Sequence, residues 1–565
     1  MSRRRAQHLP IALLPLFLLL SACVAPARAP EPPITLTIVG TNDVHGELLP
    51  SEGRGGFVTV SGYVDALRAA RAADGGAVLF IDAGDMWQGT LESNLVEGAA
   101  VLQAYNAAGV AAAAIGNHEF DFGPLGDKAI PTDDDDDPRG ALRARAREAT
   151  FPLLAANLID DATGQAVAWD NVQPSTIIDT AGVRVGIVGV MSENALVTTI
   201  AANTTGLSLA PLAETIEREA RSLRQRGATV VIVAAHAGAH CREFADPLDL
   251  SSCGAGGELL RVAAALPPGL VDHMIGGHVH QGVAHIVNGI SLTASYSSTR
   301  AFSRVDLSVD RHSGRVVDRK VYPPQAATAT AAARYEGQPV IPNPAVLEIA
   351  KAAAANAEAR KAETLGVTLA APFPLVPDVE SAISNLVAEA VLDEIGADIA
   401  LHNVFGGIRK GLPEGELTFG DVYEMFPFDN MVTIVDLSGR ELREVIARQV
   451  QRRPRLAGFA GMRVFVECEG AAMDVVMLRT DGTEIGDEDR VRVIANDFLA
   501  LGGDDILTPI IPASGFPLRD DMPRTRDVII DWFRDNAGTL QPESFVSHAT
   551  PKWNLPDKIP ANCRL

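Results

Sequence analysis

Five apolar segments of this chain each end in a cluster of polar side chains. They read "IVGTNDVHG", "LFIDAGDMWQG", "AAAAIGNHEFD", "VVIVAAHAG" and "HMIGGHVHQ", and the chain between them includes stretches with helical spacing. Strands that alternate with helices are typical of a layered α/β domain. In such sheets, ligands bind beyond the carboxyl ends of the strands. The pattern therefore predicts a functional site at the ends of these strands.

The side chains in these clusters are types that bind transition metals. They are Asp43, His45, Asp85, Asn117, His236, His278 and His280, with His118 and Asp121 next to Asn117. Such a mixed set of nitrogen and oxygen donors suits Mn, Zn, Fe or Co. The set is large enough for two ions if one carboxylate bridges them, and Asp85, in the middle of the set, is the natural bridge.

Each motif alone has a plainer interpretation. Strands end in polar turns, which Asn and Asp favour through local hydrogen bonds. A single His is also more often structural than a metal ligand. Five such motifs in order, each after an apolar strand, are difficult to obtain by chance. We therefore expect a centre that binds two divalent metal ions.

The length indicates the number of domains, and the charge limits the possible partners. A chain of 565 residues is long enough for two domains or more. Its formal charge of −23 gives a surface that repels nucleic acid and anionic lipid headgroups. We expect neither as a partner through bulk electrostatics. An anionic small-molecule substrate would need local positive charge, from metal ions or from a placed Arg.

The first residues predict export. A basic segment, "MSRRR", precedes the apolar run "LPIALLPLFLLL", which is too short for a comfortable membrane span. The run ends in "LSAC", which resembles a bacterial lipobox, so residues 1–22 would be removed and Cys23 lipidated. Cleavage after "ARA", Ala27–Ala29, is the alternative, although Pro30 would then follow the cut. We expect a protein of the periplasm or cell envelope, anchored through Cys23.

Four further cysteines suggest disulfides, because their number is even in an exported chain. The closeness of Cys241 and Cys253 in sequence favours a bridge that closes one loop. Cys468 and Cys563 would then tie down the C-terminus. Two other pairings stay open.

A run of five Asp residues lies in "IPTDDDDDPRG", Ile130–Gly140. Such a run is more often a solvated loop than a calcium site, and we expect a loop.

Changes in composition divide the chain into regions. A Pro-rich tether covers residues 23–33, and the alternation of strands and helices covers 34–323. Residues 324–366 form a linker, in which the segment from Asn343 to about Gly366 has the spacing of a long helix. A second α/β region covers 367–551, and residues 552–565 form a tail.

The order of the motifs resembles a known family. D-x-H, G-D, G-N-H-E, a single H and G-H-x-H follow one another as in the calcineurin-like metallophosphoesterases. "GNHEFD" together with "FGGIR" narrows the resemblance to the 5′-nucleotidase family, which includes periplasmic UDP-sugar hydrolases and 2′,3′-cyclic phosphodiesterases. The resemblance implies an N-terminal four-layer αββα metallophosphoesterase domain, a linking helix and a C-terminal α/β substrate domain.

Carried over position by position, the resemblance implies two ion sites. One ion would bind Asp43, His45, Asp85 and His280, and the other would bind Asp85, Asn117, His236 and His278. Two such ions, about 3.5–4 Å apart, clamp a phosphoryl group and supply a bridging hydroxide as the nucleophile. His118 would face the phosphate and the leaving group, and Asp121 would orient His118 and favour its charged form. Glu119 has no assigned role.

The C-terminal region carries the substrate motifs. In "FGGIRKG", Gly406 and Gly407 offer backbone NH groups beside Arg409, a combination that suits an anion. In the family, two Phe rings sandwich the base and an Asp binds a ribose hydroxyl. The resemblance implies these roles for Phe428, Phe498 and Asp504. Core packing is the plainer interpretation of the two Phe residues.

Two positions depart from the family pattern. The family usually has Asn five positions before this Arg, whereas Asn403 stands six before Arg409, which leaves the contact of Asn403 with substrate open. Many members also carry an Arg before "NL" in the first helix of this domain, and "LVPDVESAISNLVAEAV", Leu375–Val391, has none. A phosphate cradle that lacks one cation is expected to hold nucleotides less tightly.

These observations predict an exported phosphoesterase with two metal ions that hydrolyses nucleotides. The enzyme alternatives are relatives that act on cyclic nucleotides, UDP-sugars or a thiosulfate conjugate. A non-catalytic surface lipoprotein is the third hypothesis. The complete ligand set and the pair of His118 with Asp121 disfavour it, because a scaffold does not need them.

Overall fold

The structure is a computed structural model that describes residues 31–51, 53–126, 128–328, 333–376, 380–404, 406–451, 456–512, 515–517, 522–547, 549–556, 559–560 and 562–565. The expected signal segment and Cys23 lie outside these residues and stay predictions. Within the described ranges, no helix combines the length and the apolar character that a membrane span requires.

The helices follow the chain in this order. The α-helices are Gly56–Asp74, Leu91–Asn94, Ala99–Ala108, Gly140–Glu148, Ala201–Thr204, Leu212–Gln225, Glu258–Ala265, Pro344–Lys361, Ala382–Ile395, Phe419–Met425, Gly439–Gln451, Asp497–Ala500 and Thr525–Asp535. Short 3₁₀ helices are His118–Phe120, Ala195–Val197, Gly503–Asp505, Thr508–Ile510 and Pro542–Ser544.

Two large sheets form the N-terminal part of the chain. The first has the spatial order Val316–Val321, Ala301–Val309, Ile34–Thr41, Ala77–Asp82, Ala112–Ala114, Leu153–Leu154 and Val172–Gln173, with Gln325–Ala326 also paired to Ala301–Val309. The second has the order Gly282–Val287, Ile290–Ser295, His273–Gly276, Val230–His236, Val183–Met191 and Ser175–Thr180. The central strands of each sheet run parallel to their neighbours.

The two sheets pack face to face because their strands are apolar on both faces. Leu36 and Ile81 of the first sheet and Ile187 and Ile232 of the second belong to one fully buried cluster between them. Burial on both faces explains why these strands read as continuous apolar runs in the sequence. Helices cover the outer faces, among them Gly56–Asp74 and Ala99–Ala108 on the first sheet and Leu212–Gln225 and Glu258–Ala265 on the second.

These layers form the four-layer αββα sandwich that the resemblance implies. Two small sheets add to this part of the chain: Leu207–Leu209 with Leu158–Asp160 and Gln165–Ala166, and Arg334–Tyr335 with Gln338–Pro339.

The linking helix begins where its sequence pattern predicts. Asn343 caps it, because its side chain accepts hydrogen bonds from the backbone of Ala345 and Val346. Pro344 stands at the first helical position, where its fixed φ suits the helix and no backbone NH is needed.

The same helix ends earlier than predicted. Its last residue is Lys361, and Thr364–Leu369 is already a strand. Gly366, the predicted helix end, lies inside that strand with a φ of +77°. Leu365 is buried in the same cluster as Ala357, at a spacing that also occurs on one face of a helix. This spacing explains why the predicted helix is too long.

Three smaller sheets form the C-terminal part. Their spatial orders are Gly415–Thr418, Thr364–Leu369 and Gly538–Leu540; Val432–Ser438, Arg490–Asn496, Ile399–His402 and Gly458–Ala460; and Ala472–Arg479, Met462–Glu469 and Trp553–Asn554. Two buried apolar clusters join these sheets to their helices. The structure thus has the predicted α/β class with two domains, and we keep 34–323 and 367–551 as proposals for the domain limits.

The disulfides are Cys241–Cys253 and Cys468–Cys563, the pairing that the sequence favoured. The first closes the loop that follows the strand Val230–His236. The second joins the strand Met462–Glu469 to the C-terminal residues.

Direct contacts join the two domains beside the linking helix. Asn94 Nδ2 of the N-terminal domain donates to Tyr423 Oη at 2.7 Å, and Gln88 Nε2 donates to the Pro427 carbonyl at 3.0 Å. Lys361, at the end of the linking helix, pairs with Glu92 at 2.7 Å. Both domains therefore border the same region, on the side where the predicted site lies.

Candidate active site

The predicted metal ligands lie at the carboxyl ends of strands in both large sheets. The ligands and their strands are Asp43 and His45 after Ile34–Thr41, Asp85 after Ala77–Asp82, Asn117 after Ala112–Ala114, His236 at the end of Val230–His236, and His278 and His280 after His273–Gly276. Because the two sheets pack with these ends together, one edge of the sandwich collects the whole set.

The ligand atoms form two groups. Those of Asp43, His45 and His280 lie within 4.8 Å of one another, and so do those of Asp85, His236 and His278. Asn117 joins the second group, since its Oδ1 lies 2.9 Å from His236 Nε2 and 3.0 Å from His278 Nδ1. This division agrees with the two ion sites that the resemblance implies. A bridging role for Asp85 stays a prediction.

The backbone at five of these ligands is left-handed. The φ angles are 49° for Asp43, 51° for His45, 59° for Asp85, 74° for His278 and 56° for His280. Residues other than Gly rarely adopt this region, and each instance costs on the order of 1–3 kcal/mol. Strain of this kind persists where the surrounding structure enforces it, and it accumulates at functional sites. The loops therefore favour ligand placement over local stability.

Backbone carbonyls orient two of the imidazoles. His45 Nδ1 donates to the Gln88 carbonyl at 2.8 Å, and His236 Nδ1 donates to the Ala83 carbonyl at 2.9 Å. In each ring this leaves Nε2 to face the other ligands. Carbonyl partners of this kind fix the tautomer of a metal-binding His.

The charges of the imidazoles differ from ring to ring, even within one ligand group. Burial lowers the pKa of His45 to about 3 and that of His278 to about 4, which favours the neutral form that binds metal. Burial also acts on His236, but the adjacent Asp85 carboxylate outweighs it and raises the pKa of His236 to about 10. An ion that binds His236 must therefore displace a proton.

Glu119 joins two of the ligand loops. Its carboxylate, only 1% exposed, accepts hydrogen bonds from the backbone NH of Gly116 at 2.7 Å, Met86 at 2.8 Å and Asp85 at 2.9 Å. A Cβ atom at Gly116 would lie 2.3 Å from Asp85 Oδ1, so only Gly permits this approach. Sequence reasoning assigned no role to Glu119, and the structure shows that it supports the ligand loops.

His118 has the partner that its spacing predicts. His118 Nδ1 lies 2.7 Å from Asp121 Oδ2, and Thr199 Oγ1 donates to the other oxygen of Asp121 at 2.6 Å. Burial disfavours the charged imidazole, but Asp121 and Asp85 outweigh it and raise the pKa of His118. Thr199 is a residue that sequence reasoning missed, because no motif marks the segment after the strand Val183–Met191.

One cleft of about 1040 Å³ connects the ligand loops to the C-terminal domain. From the N-terminal domain it is lined by Asp85, Asn117, His118, Asp121, His278 and His280, while Asp43, His45 and His236 lie beneath its surface. All the residues predicted to bind substrate line it from the other side: Asn403, Gly406, Gly407, Arg409, Phe428, Phe498 and Asp504. The fold thus brings the two predicted sets of residues together.

Arg409 and Phe428 lie on the side of the cleft that His118 lines. The Arg409 guanidinium carbon lies 4.9 Å from the centre of the Phe428 ring, and that ring lies 6.0 Å from the His118 ring. Phe428 also contacts Phe426 at 5.8 Å between ring centres, and Gly503 packs closely against the Phe498 ring. Each Phe therefore packs on the domain core while lining the cleft, and its stacking on a base stays a prediction.

Asn403 reaches Asp504 despite its displaced position. Asn403 Nδ2 donates to Asp504 Oδ2 at 2.7 Å. Its own Oδ1 is buried and has no hydrogen-bond partner within the described part of the chain. Asn403 therefore holds the Asp504 carboxylate, and both residues line the cleft.

The lining of the cleft reflects the lack of the Arg that many family members carry before "NL" in the first helix of the C-terminal domain. Among the described lining residues, Arg409 is the single Arg or Lys that the C-terminal domain contributes, and Leu375 lines the cleft from the segment that lacks Arg.

The Asp run lies apart from the cleft. Lys128 pairs with Asp133 at 2.6 Å and with Asp136 at 2.7 Å, and Arg143 pairs with Asp137 at 3.0 Å. Neighbouring cations thus neutralise part of the run, in keeping with a surface loop.

Comparison with known proteins places the chain in a family. Residues 36–282 match the calcineurin-like phosphoesterase family, and residues 366–509 match the 5′-nucleotidase C-terminal domain. The chain is 26% identical over 503 residues to endonuclease YhcR of Bacillus subtilis, covering 84% of this chain and 37% of that protein. It is 25% identical over 534 residues to a 5′-nucleotidase of Vibrio cholerae, covering 86% and 88%.

The fold is similar to that of a solved structure, a 5′-nucleotidase precursor from Thermus thermophilus. The TM-score is 0.69 at 22% identity, over 93% of this chain and all of the other. With both domains matched in this order, the chain belongs to the 5′-nucleotidase family of calcineurin-like metallophosphoesterases.

Proposed function

We propose that this enzyme is an exported nucleotidase that hydrolyses the phosphoric ester of a nucleotide at a centre of two divalent ions. One observation carries the proposal: a single cleft joins the metal-ligand loops and His118 to Arg409, Phe428, Phe498 and Asp504 of the other domain. The Vibrio relative, named a 5′-nucleotidase, supports the same substrate class.

The donor set fits two divalent ions. Each group of ligands combines carboxylate oxygen with imidazole nitrogen, and the second also has the amide oxygen of Asn117. Such a set suits Mn, Zn, Co or Fe. When bound, two ions would supply Lewis acidity to the phosphoryl group and to an attacking water molecule.

His118 would act on the phosphate rather than on a metal. Because Nδ1 is bonded to Asp121, Nε2 is left for the cleft. A charged imidazole there can stabilise negative charge on the phosphoryl oxygens or give a proton to the leaving oxygen. Thr199, through its hydrogen bond to Asp121, would hold this pair in place.

The C-terminal domain would hold the rest of the substrate. Arg409 would pair with the phosphate, Phe428 and Phe498 would stack on the base, and the Asp504 carboxylate would accept from a ribose hydroxyl. Asn403, hydrogen-bonded to Asp504, would orient that carboxylate. Gly406 and Gly407 would bring backbone NH groups near the phosphate.

Esters that are larger than a monophosphate are the second candidate substrates. The cleft is at the upper end of the range for small-molecule sites, about 300–1,000 Å³. Within the N-terminal domain, it is also lined by Glu193, His240 and Arg261, which are not among the predicted metal ligands. This extra space favours UDP-sugars over cyclic nucleotides as the alternative substrates.

A substrate panel tests the proposal. The purified protein, loaded with Mn, Co or Zn, would be assayed with nucleoside 5′-monophosphates, UDP-sugars, 2′,3′-cyclic nucleotides and p-nitrophenyl phosphate. We expect hydrolysis of at least one nucleotide class. Cleavage of p-nitrophenyl phosphate without cleavage of any nucleotide would contradict the proposal.

Export and a lipid anchor at Cys23 are part of the proposal. The two disulfides and the basic and apolar N-terminal segments support export. We expect Cys23→Ser to release a soluble form or to leave an unprocessed precursor, as judged by membrane fractionation and intact mass. A wild-type N-terminus that begins at Pro30 and carries no lipid would exclude the anchor.

A further inference from the structure

A buried cation, Arg526, lies next to the part of the cleft that Phe428 lines, but does not itself line the cleft. It belongs to the helix Thr525–Asp535 and is 4% exposed. Its guanidinium points to the loop that follows the helix Phe419–Met425, which carries Phe428. A charge this deeply buried is retained only where it is paired, and its partners therefore show what it holds.

The partners of Arg526 are all at or beside this loop. Arg526 Nη1 donates to the Phe428 carbonyl at 3.1 Å, and Nη2 donates to the Asp429 carboxylate. The guanidinium carbon also lies 4.3 Å from the centre of the Tyr423 ring. Phe428 and Asp429 both line the cleft, so one guanidinium holds two neighbouring residues of the cleft wall from behind.

The loop connects several parts of the cleft. On the cleft side, the centre of the Phe428 ring lies 4.9 Å from the Arg409 guanidinium carbon and 6.0 Å from the centre of the His118 ring. On the other side, Tyr423 accepts a hydrogen bond from Asn94 of the N-terminal domain. A displacement of this loop would therefore move Phe428 relative to the phosphate-binding cation and to the catalytic His.

We propose that Arg526 is a positioning residue for nucleotide selection, which acts by holding Phe428 in the orientation that stacks on the base. This inference rests on the proposed function. The planar guanidinium donates to the carbonyl and the carboxylate at once, whereas the single ammonium group of Lys cannot reproduce that fork. Charge alone is therefore insufficient at this position.

The test compares two variants, Arg526→Lys and Arg526→Met, on a nucleoside 5′-monophosphate and on p-nitrophenyl phosphate. We expect KM for the nucleotide to rise about 10-fold or more in Arg526→Met, and less in Arg526→Lys, with kcat changed little. Activity on p-nitrophenyl phosphate, which has no base to stack, is expected to stay within about 2-fold. The matched control is Arg534→Met, in the same helix, where the Arg pairs with Asp531 and Glu363 at the surface.

A second variant distinguishes a loss of positioning from a loss of folding. Asp429→Asn keeps the size of the side chain and removes the charge that pairs with Arg526, and we expect the same selective rise in KM. In the double variant with Arg526→Met the two effects should not add, because both act on one loop. Thermal unfolding of each variant shows whether it is folded.

Three outcomes would overturn the inference. Equal losses on both substrates in the folded Arg526 variants would make Arg526 a support of the fold only. An unchanged nucleotide KM in Asp429→Asn and Arg526→Lys would also exclude a positioning role. A wild-type protein that cleaves p-nitrophenyl phosphate but no nucleotide would overturn the proposed function together with this inference.

Discussion

His118 illustrates how one side chain among several imidazoles is set apart. Its Nδ1 is bonded to Asp121, whose other oxygen accepts from Thr199, whereas His45 and His236 bond to backbone carbonyls. A carboxylate at Nδ1 favours the charged imidazole, whereas a carbonyl at Nδ1 fixes the tautomer and leaves Nε2 to face the predicted metal ligands. The partner of each ring, rather than the ring itself, separates the two roles.

Substitution of His118 by Asn is expected to preserve the metals and remove most turnover. A general acid or charge stabiliser commonly contributes about 10²–10⁴-fold, and the Asn amide cannot supply a proton. Metal analysis and kcat on a nucleoside 5′-monophosphate, whose leaving oxygen needs a proton, would measure both effects. Thr199→Val should cause a smaller loss, because it acts through Asp121. Loss of metal together with activity would mean that His118 is a ligand.

Asp82 gives the fold a pH dependence. This carboxyl accepts from Thr41 at 2.6 Å and Tyr105 at 2.9 Å, and burial raises its pKa to about 7. The folded protein therefore keeps a proton that the unfolded chain releases above its ordinary value of 3.8. The contribution of Asp82 to the free energy of unfolding is present below that value and is lost as the pH rises towards 7.

Asp82→Asn is expected to flatten this part of the pH profile. The melting temperature of the variant should fall less between pH 4 and pH 7 than that of the wild type, as measured by calorimetry. The exposed Asp170→Asn serves as the control and should follow the wild type. Equal slopes for Asp82→Asn and the wild type would contradict the assignment.

At the scale of elements, the sequence predicted the central strands and the loops after them better than it predicted the end of the linking helix. The continuous apolar runs identified the central strands of both sheets, because strands buried on both faces need such runs. The polar motifs directly after them indicated which loops meet at one edge of the sandwich. The predicted end of the linking helix, at about Gly366, was wrong. The helical spacing of apolar residues continues beyond Lys361 into the strand Thr364–Leu369.

Asp85 tests whether the two ligand groups share a carboxylate. If Asp85 bridges, Asp85→Ala is expected to lose both ions, whereas Asp43→Ala should lose mainly the ion of the first group. The metal content of each purified variant would be measured after dialysis. An Asp85→Ala protein with one ion at full occupancy would show that Asp85 serves the second group alone.

At the scale of the whole molecule, the proposed function divides the work between the two domains. The N-terminal domain carries the predicted metal ligands and His118, and the C-terminal domain supplies the aromatic rings that line the cleft. Hydrolysis and substrate selection are therefore expected to be separable by substitution.

Phe498→Ala would separate them. Stacking of an aromatic ring on a base is worth about 1–3 kcal/mol, so kcat/KM for a nucleotide should fall about 5- to 150-fold. Hydrolysis of p-nitrophenyl phosphate should fall much less. Equal losses on both substrates would identify Phe498 as a core residue, and no loss on either would indicate a substrate without a base.

The sequence by itself determined the donor types, their order and the strands that carry them, because these are local properties of short segments. It also paired His118 with Asp121, three residues away. Only the tertiary structure decided which distant residues meet: Thr199 bonds to Asp121 across 78 residues, and Arg526 bonds to Asp429 across 97. A hydrogen bond between single side chains so far apart leaves no period or spacing in the sequence, so chain packing alone brings such pairs together.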